Sequence, residues 1–289
     1  MDMQNSTRLG ASSHAAFTLI DLLVVVVLLA LLVATILPAL AKTSLSSKAS
    51  QCLSNNRLLC AAWRTYADDS RDLILYASDN PGAPNDAALS RYAWVTDHLD
   101  YFGGNRGDWD INVGLATGQL WPYTGMSAAI YRCPSDPSFV VVDGLAKPRV
   151  RSFSMNLYLG GYDGTDGGWT FVSISKLFLK STELTDPGPS KTFVFTDERP
   201  DFINWGNFFV DMVGYSPPNP AIYEFTADLP GMFHNVGGSF SFADGHAEIH
   251  HWTDPRTTPP YSPPASFGYM AVPGDPDVAW LQDKATRPK

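Results

Sequence analysis

His246, Glu248 and His250 occupy every second position near the C-terminal end of the chain. Residues two apart in a β-strand point to the same face of the sheet, so these three side chains would lie together. Imidazole nitrogens and a carboxylate oxygen are ligands that zinc accepts. Short motif matches of this kind often arise by chance, however. We therefore favour a solvated strand face over a zinc site.

Two acidic segments could form a metal site or a catalytic site. The segment Asp163-Gly164-Thr165-Asp166-Gly167 could bind calcium, but it lacks the regular acidic spacing of an EF-hand, which favours an ordinary turn. Asp197-Glu198 ends an apolar stretch and could act as a catalytic pair. No nucleophile motif or phosphate-binding loop accompanies it, which favours carboxylates at the surface or anchoring a loop. We expect no enzyme activity and no cofactor.

The three cysteines, Cys52, Cys60 and Cys133, cannot all be paired within one chain. Cys52 and Cys60 would lie roughly 12 Å apart on a helix, too far for a disulfide. Either could bond to Cys133 in an oxidising compartment. Buried free thiols are an equally good interpretation.

The chemistry-bearing residues near the C-terminus require a β-hairpin, predicted over residues 236–252. Asp244-Gly245 is a typical type I′ turn, and that turn would pair Phe240 with Ile249. The pairing places apolar side chains on one face and His246, Glu248 and His250 on the other. His234 would hydrogen-bond the turn.

The remainder of the chain after residue 73 has short apolar stretches between glycine, proline and acidic clusters, which is typical of strands and long loops. The chain has 23 glycines, 22 prolines and a net charge of −9, so no basic surface for nucleic acid is expected. Strands are predicted at Tyr92–Val95, Ile130–Arg132, Phe139–Val142, Thr192–Thr196 and Asn207–Val210.

Residues 17–41 form the longest apolar segment. Between residues 22 and 37 only Thr35 is polar, and a bilayer core requires about 20 apolar residues. Asp21 places a carboxylate within the span, and Pro38 should kink it. The pattern predicts a transmembrane helix.

Residues 42–67 continue this helix as an amphipathic segment. Cys52, Leu59, Trp63 and Tyr66 recur at helical spacing. A helix from Phe17 to about Ala67 would be roughly 75 Å long. The alternative is a signal peptide cleaved after Ala39-Leu40-Ala41, which would leave a secreted protein starting at Lys42. Asp21 argues against it, because a charge weakens the hydrophobic region of a signal peptide.

The segment from Ala16 to Val25, Ala-Phe-Thr-Leu-Ile-Asp-Leu-Leu-Val-Val, resembles the cleavage and methylation signature of type IV prepilins and type II secretion pseudopilins. The resemblance implies a leader peptide over 1–16, cleavage between Ala16 and Phe17, and N-methylation of Phe17. Asp21 takes the place of the family's acidic residue, and Pro38 lies where pilin helices often carry proline. The family usually has Gly before the cut and Glu as the acid; Ala16 and Asp21 keep a small residue and a carboxylate.

His234 is followed, after nine residues, by Asp244-Gly245. This spacing is similar to the H-x9-DG element at the C-terminal end of many prepilin-like proteins. Further fragments are similar to that group, among them Cys52-Leu53-Ser54-Asn55-Asn56, Gly118-Gln119-Leu120-Trp121-Pro122-Tyr123, Arg132-Cys133-Pro134-Ser135-Asp136 and Ala279-Trp280-Leu281-Gln282-Asp283.

Together, the pattern and the resemblance predict an α+β protein in which a long N-terminal helix packs by its second half on an antiparallel sheet. The resemblance implies a single-pass inner-membrane protein with an extracytoplasmic domain over 68–289. Arg8 before the span and Lys42 and Lys48 after it would favour the opposite orientation. Implied partners are the prepilin peptidase/methylase, other pilin or pseudopilin subunits and an inner-membrane assembly platform. The expected function is structural, in a type II secretion pseudopilus or type IV pilus; the alternative is a membrane-tethered, lectin-like binding protein that does not assemble.

Overall fold

The computed structural model describes residues 19–79, 91–168, 170–261 and 268–289, without the side chains of residues 21, 35–45, 170 and 171. The predicted leader and the cleavage site between Ala16 and Phe17 lie outside the described residues. The chain divides into two compact units, Met1–Ser46 and Ser47–Lys289.

The helix α1 runs over Leu19–Asp69. In the first unit, the described side chains from Leu19 to Val33 are exposed, and the large apolar ones range from 45% to 82% exposure. Among the described residues, no helix is both long and apolar enough to cross a membrane. The predicted span, 17–41, falls partly on residues outside the description, and these include the side chains of Asp21 and Pro38.

In the second unit, α1 carries a buried stripe. Cys52, Leu59, Cys60 and Trp63 are 0–1% exposed and belong to the hydrophobic core. Cys52 precedes Leu59 and Cys60 by seven and eight residues, and Trp63 follows them by four and three, so the four share one broad face of the helix. Asn56 lies on the same face, and its amide nitrogen donates to Ser239 Oγ at 3.3 Å. The core therefore includes polar contacts between α1 and the sheet.

The main sheet has five strands in the order β5-β3-β4-β7-β8. Three pairs are antiparallel, and β3 pairs with β5 in parallel. Two further sheets pair β1 with β2 and β6 with β9. The mixed α/β class with largely antiparallel sheets is thus confirmed. The strands are β1 Phe139–Val142, β2 Leu145–Pro148, β3 Phe153–Asn156, β4 Phe193–Asp197, β5 Asn207–Phe208, β6 Glu224–Thr226, β7 Gly237–Phe242, β8 Ala247–His251 and β9 Tyr269–Ala271.

Among the described residues of the second unit there are two further α-helices, α2 over Thr170–Ser173 and α3 over Pro276–Ala285. Asp275 caps α3 by accepting a hydrogen bond from Asp277 N, and Pro276 occupies its first turn. Trp280 of α3 packs edge-on against Phe240 of β7 at 4.9 Å between ring centroids. The strand β7 is therefore covered by α1 on one face and by α3 on the other.

Two predicted strands are wrong. Tyr92–Val95 forms one isolated bridge, at Ala93, and Ile130–Arg132 overlaps a 3-10 helix at Ala128–Tyr131. Trp94 is fully buried, and its indole nitrogen donates to Gly206 O at 2.8 Å. Apolar residues in these loops therefore reach the core without strand pairing.

The predicted register of the β7–β8 hairpin is wrong by one residue. Phe240 lies opposite Glu248, and Ser239 lies opposite Ile249. Phe242 N donates to His246 O at 2.9 Å, and Gly245 N donates to Phe242 O at 2.8 Å. The loop thus has three residues, with Gly245 at φ +100°. Asp244 does not have the positive φ that a type I′ turn requires, and three-residue loops that end in a glycine with positive φ are usually built on a type I turn.

The type I′ geometry occurs in the β1–β2 hairpin instead. Asp143 and Gly144 have φ of 51° and 77°, and Val142 pairs directly with Leu145. The same dipeptide at 244–245 is constrained by tertiary contacts. Ala243 N donates to Thr192 O at 3.0 Å, and Arg64 Nη1 donates to Asp244 O at 2.7 Å.

Candidate metal centre

Four side chains from distant parts of the chain converge beneath α1. One ligand atom each from Cys52, Cys133, Asp197 and His234 lies within 4.8 Å of the other three. The four residues are 0%, 0%, 0% and 6% exposed. Among the described residues, this is the only group of three or more His, Cys, Asp and Glu side chains with such an arrangement.

Helix and sheet position two members of this cluster. Cys52 belongs to the buried stripe of α1, and its Sγ lies 3.3 Å from Ser239 Oγ on β7. Asp197 is the last residue of β4, and its Oδ1 accepts from Ser239 N at 2.7 Å. A β-carbon on Gly231 would lie 2.8 Å from the Asp197 carboxylate, so the chain can approach this closely only as glycine.

Loops position the other two members. Cys133 follows the 3-10 helix at Ala128–Tyr131, and its backbone N donates to Ser152 Oγ at 2.6 Å. Ser135 N donates to Cys133 Sγ at 3.4 Å. His234 precedes β7 and is held by its backbone N, which donates to Gly237 O at 3.2 Å.

The imidazole of His234 presents one nitrogen to two neighbours. Its Nε2 lies 3.3 Å from Cys133 Sγ and 3.6 Å from Asp197 Oδ2. Cys52 Sγ lies 3.9 Å from the same Asp197 oxygen. In a catalytic triad, the nucleophile and the carboxylate contact opposite nitrogens of the histidine. The cluster therefore differs from a catalytic triad, because one nitrogen of His234 faces both the thiol and the carboxylate. Its four donor atoms are close enough together to hold a metal ion.

Burial and mutual contact perturb all four groups. Burial raises the pKa of the Cys52 thiol, and it raises the pKa of Asp197 to about 8, with the nearby Cys133 adding to the effect. Burial also opposes ionisation of Cys133, but hydrogen bonds with Cys52 and His234 bring its pKa to about 6. Burial lowers the pKa of His234, and Cys133 and Asp197 outweigh this and raise it. Buried side chains such as Cys133 and His234 can stay charged only when a partner of opposite charge or a hydrogen bond offsets the cost of burial.

The side chains of His246, Glu248 and His250, for which zinc binding is the disfavoured interpretation, are not brought together around one point. His246 stacks on Phe242 at 4.3 Å between ring centroids and lies 2.6 Å from Asp244 Oδ1. His250 stacks on Trp280 at 3.8 Å, and Glu248 is exposed. These residues share a strand face, but each has its own environment, and none belongs to the cluster.

The structure also places His234, the Asp197-Glu198 pair and the Asp163–Gly167 segment. His234 does not bond the Asp244-Gly245 turn, because its ring is turned into the cluster. Asp197 and Glu198 are both fully buried, so they are not surface carboxylates. In the Asp163–Gly167 segment the carboxylates take loop hydrogen bonds: Thr165 Oγ1 donates to Asp163, and Gly168 N to Asp166.

All three cysteines are free and buried. Cys60 lies apart from the cluster, with its Sγ 3.1 Å from Phe242 O. Sequence reasoning named Cys52, Cys133, Asp197 and His234 separately but did not place them together. The available signal was limited to Cys52, Cys133 and His234, each of which lies in a fragment expected to resemble one group of proteins. Asp197 carried no such signal.

No protein-family model matches the chain, and neither a curated protein nor a solved structure matches it.

Proposed function

We propose that the chain is a pilin-like structural subunit, anchored in the inner membrane by the N-terminal part of α1. In this proposal a prepilin peptidase cleaves before Phe17 and methylates the new amine. The subunit then joins a type II secretion pseudopilus or a type IV pilus-like filament through an assembly platform in the inner membrane.

The observation that most supports this proposal is the division of chemistry along α1. Its described side chains from Leu19 to Val33 are all apolar, and they are exposed around the whole helix. A helix that is apolar on all sides requires apolar surroundings, which lipid or neighbouring helices supply. From Cys52 onward the same helix is amphipathic and contributes to a core.

Asp21 provides the most direct test of assembly into a filament. A carboxylate at the centre of a membrane helix costs roughly 2.5–3.5 kcal/mol on insertion scales. The cost is lower near the end of the span, where Asp21 lies, but a partner should still offset it. Cleavage before Phe17 creates an amine that stays cationic after methylation. In a filament, this amine would pair with Asp21 of a neighbouring subunit, and the low dielectric would strengthen the pair.

The test compares wild type with Asp21→Ala in a bacterium that assembles the filament. Asp21→Ala should reach the membrane at wild-type levels or above, because the buried charge is gone. Its level in sheared filaments should fall by about tenfold or more, equivalent to ~1.4 kcal/mol. Both levels are measured by immunoblot, with processing checked by mass.

Asp68→Ala is the matched control, because it removes an exposed carboxylate from the C-terminal end of the same helix. It should leave filament incorporation unchanged. Equal incorporation of Asp21→Ala and wild type would refute the charge pairing. Absence of the wild-type chain from any filament would favour the tethered binder, whose ligand site would be the ~560 Å³ cavity lined by Tyr101, Phe139, Arg199, Phe233 and Tyr261.

A further inference from the structure

We propose that Cys52, Cys133, Asp197 and His234 bind one zinc ion that holds α1 to the sheet. The inference goes beyond the filament proposal and does not depend on it, because the four residues lie within the second unit.

The donor set selects the metal. Two cysteine sulfurs, one imidazole nitrogen and one carboxylate oxygen suit zinc, whereas calcium and magnesium take oxygen ligands. Four protein ligands complete a tetrahedral shell and leave no open position. This composition points to a structural rather than a catalytic ion.

Three of the six separations between the ligand atoms are close to the edges of such a shell, and all six lie within 4.8 Å. Zinc bonds of about 2.0–2.3 Å give a tetrahedron with edges of roughly 3.3–3.8 Å. Nε2 of His234 lies 3.3 Å from Cys133 Sγ and 3.6 Å from Asp197 Oδ2, and Cys52 Sγ lies 3.9 Å from Oδ2. Nε2 of His234 takes part in two of these three contacts, and Oδ2 of Asp197 also takes part in two. Both atoms therefore face the middle of the cluster, as expected of ligands around a common centre.

The surroundings orient the ligands. Ser239 N binds Asp197 Oδ1, which leaves Oδ2 directed into the cluster. Ser135 N donates to the sulfur of Cys133, and Ser239 Oγ contacts that of Cys52. Hydrogen bonds of this kind fix ligand geometry in metal sites.

The backbone beside His234 is also unusual. Asn235 and Val236 have φ of 54° and 60°. A β-branched residue such as Val236 seldom adopts this conformation, because its side chain is crowded by the backbone there. The turn is the segment that directs His234 toward Cys133. Strain at this position is consistent with a ligand held in place by what it binds.

The ion would act as a cross-link. Its ligands come from α1, from the loop after the 3-10 helix at Ala128–Tyr131, from the end of β4 and from the loop before β7. Binding requires both thiols to be deprotonated, and the binding free energy then adds to folding.

The experiment uses the full chain, purified in detergent with a non-chelating reductant and equilibrated with zinc. After removal of loose metal, elemental analysis should find about one zinc per wild-type chain. Cys52→Ser and His234→Gln should retain close to none. Cys60→Ser is the matched control, because it removes a buried thiol from the same helix outside the cluster and should keep the zinc.

A second measurement does not rely on folding of the variants. Wild-type chain loaded with Co²⁺ in place of zinc should show thiolate-to-cobalt charge-transfer absorption and the intense visible bands of tetrahedral cobalt, and added zinc should abolish both. The proposal is overturned if the wild-type chain holds neither metal, if both cluster variants keep zinc, or if the chain as isolated contains a Cys52–Cys133 disulfide.

Discussion

At the scale of single residues, Gly245 determines the register of the β7–β8 hairpin. Its φ of +100° closes a three-residue loop, and this loop shifts the pairing by one position from that of a two-residue turn. The carbonyl of Asp244 next to it accepts from Arg64 of α1. The backbone conformation of Gly245 therefore fixes which residues of β8 lie opposite each residue of β7.

Gly245→Val should lower the free energy of unfolding by more than ~1 kcal/mol, because a β-branched residue is strained at this φ. For a folded unit of this size, each kcal/mol of lost stability lowers Tm by about 2–4 °C. Thermal denaturation of the detergent-solubilised chain measures it. Gly104→Val is the control, since Gly104 is exposed, has no positive φ, and has open space around an added β-carbon. Equal melting of both variants and wild type would refute the turn assignment.

Residue identity alone could suggest thiols, a carboxylate and a histidine as notable groups, but not their convergence. Cys52, Cys133, Asp197 and His234 have no motif spacing, because each comes from a different segment. Periodicity relates residues within one element, and the contact between elements is decided by packing. His246, Glu248 and His250 illustrate the converse, since correct spacing within one strand did not bring ligands together.

At the scale of elements, β7 shows why the hairpin register could not be read from polarity. All six of its residues are buried. Ser239 and Ser241 face α1, where Ser239 contacts Cys52 and Asn56, and Phe240 faces α3. When both faces of a strand are covered, alternation no longer separates core from solvent. The α1 stripe was predictable because helical spacing there coincides with one covered face.

The packing of β8 on α3 leads to a pH prediction. His250 stacks between β8 and Trp280, and burial lowers its pKa in the folded chain. Asp277, facing it from α3, opposes this effect, while His251 and Lys284 add to it. The folded state thus favours the neutral ring, and its contribution to stability is present above the unfolded pKa of about 6.5. The contribution is lost as pH falls from there through the folded pKa.

His250→Phe should retain the stacking without titrating. Between pH 7 and pH 5, Tm of the wild-type chain should therefore fall more than Tm of the variant. Circular dichroism melts across that range measure both. Parallel curves would show that His250 is equally ready to accept a proton in the folded and unfolded chain.

At the scale of the whole molecule, two features of α1 carry the functional account. The first unit contains an exposed apolar helix surface, and the second contains a helix stripe tied to a core and to the four-residue cluster. The apolar run and the amphipathic stripe were visible in the sequence because both are local patterns. The course of the loops rich in glycine and proline could not be predicted from the sequence, because their residues reach the core through single bridges and 3-10 turns.

The mass of the mature N-terminus shows whether the chain is cleaved and methylated at Phe17 as a prepilin is. The chain would be expressed in a bacterium with a prepilin peptidase and in the same strain without it, and its N-terminal peptide analysed by mass spectrometry. We expect a chain that begins at Phe17 with one methyl group on its amine, and an uncleaved chain in the strain without the peptidase. A chain that begins at Lys42, or one that is uncleaved in both strains, would contradict this expectation.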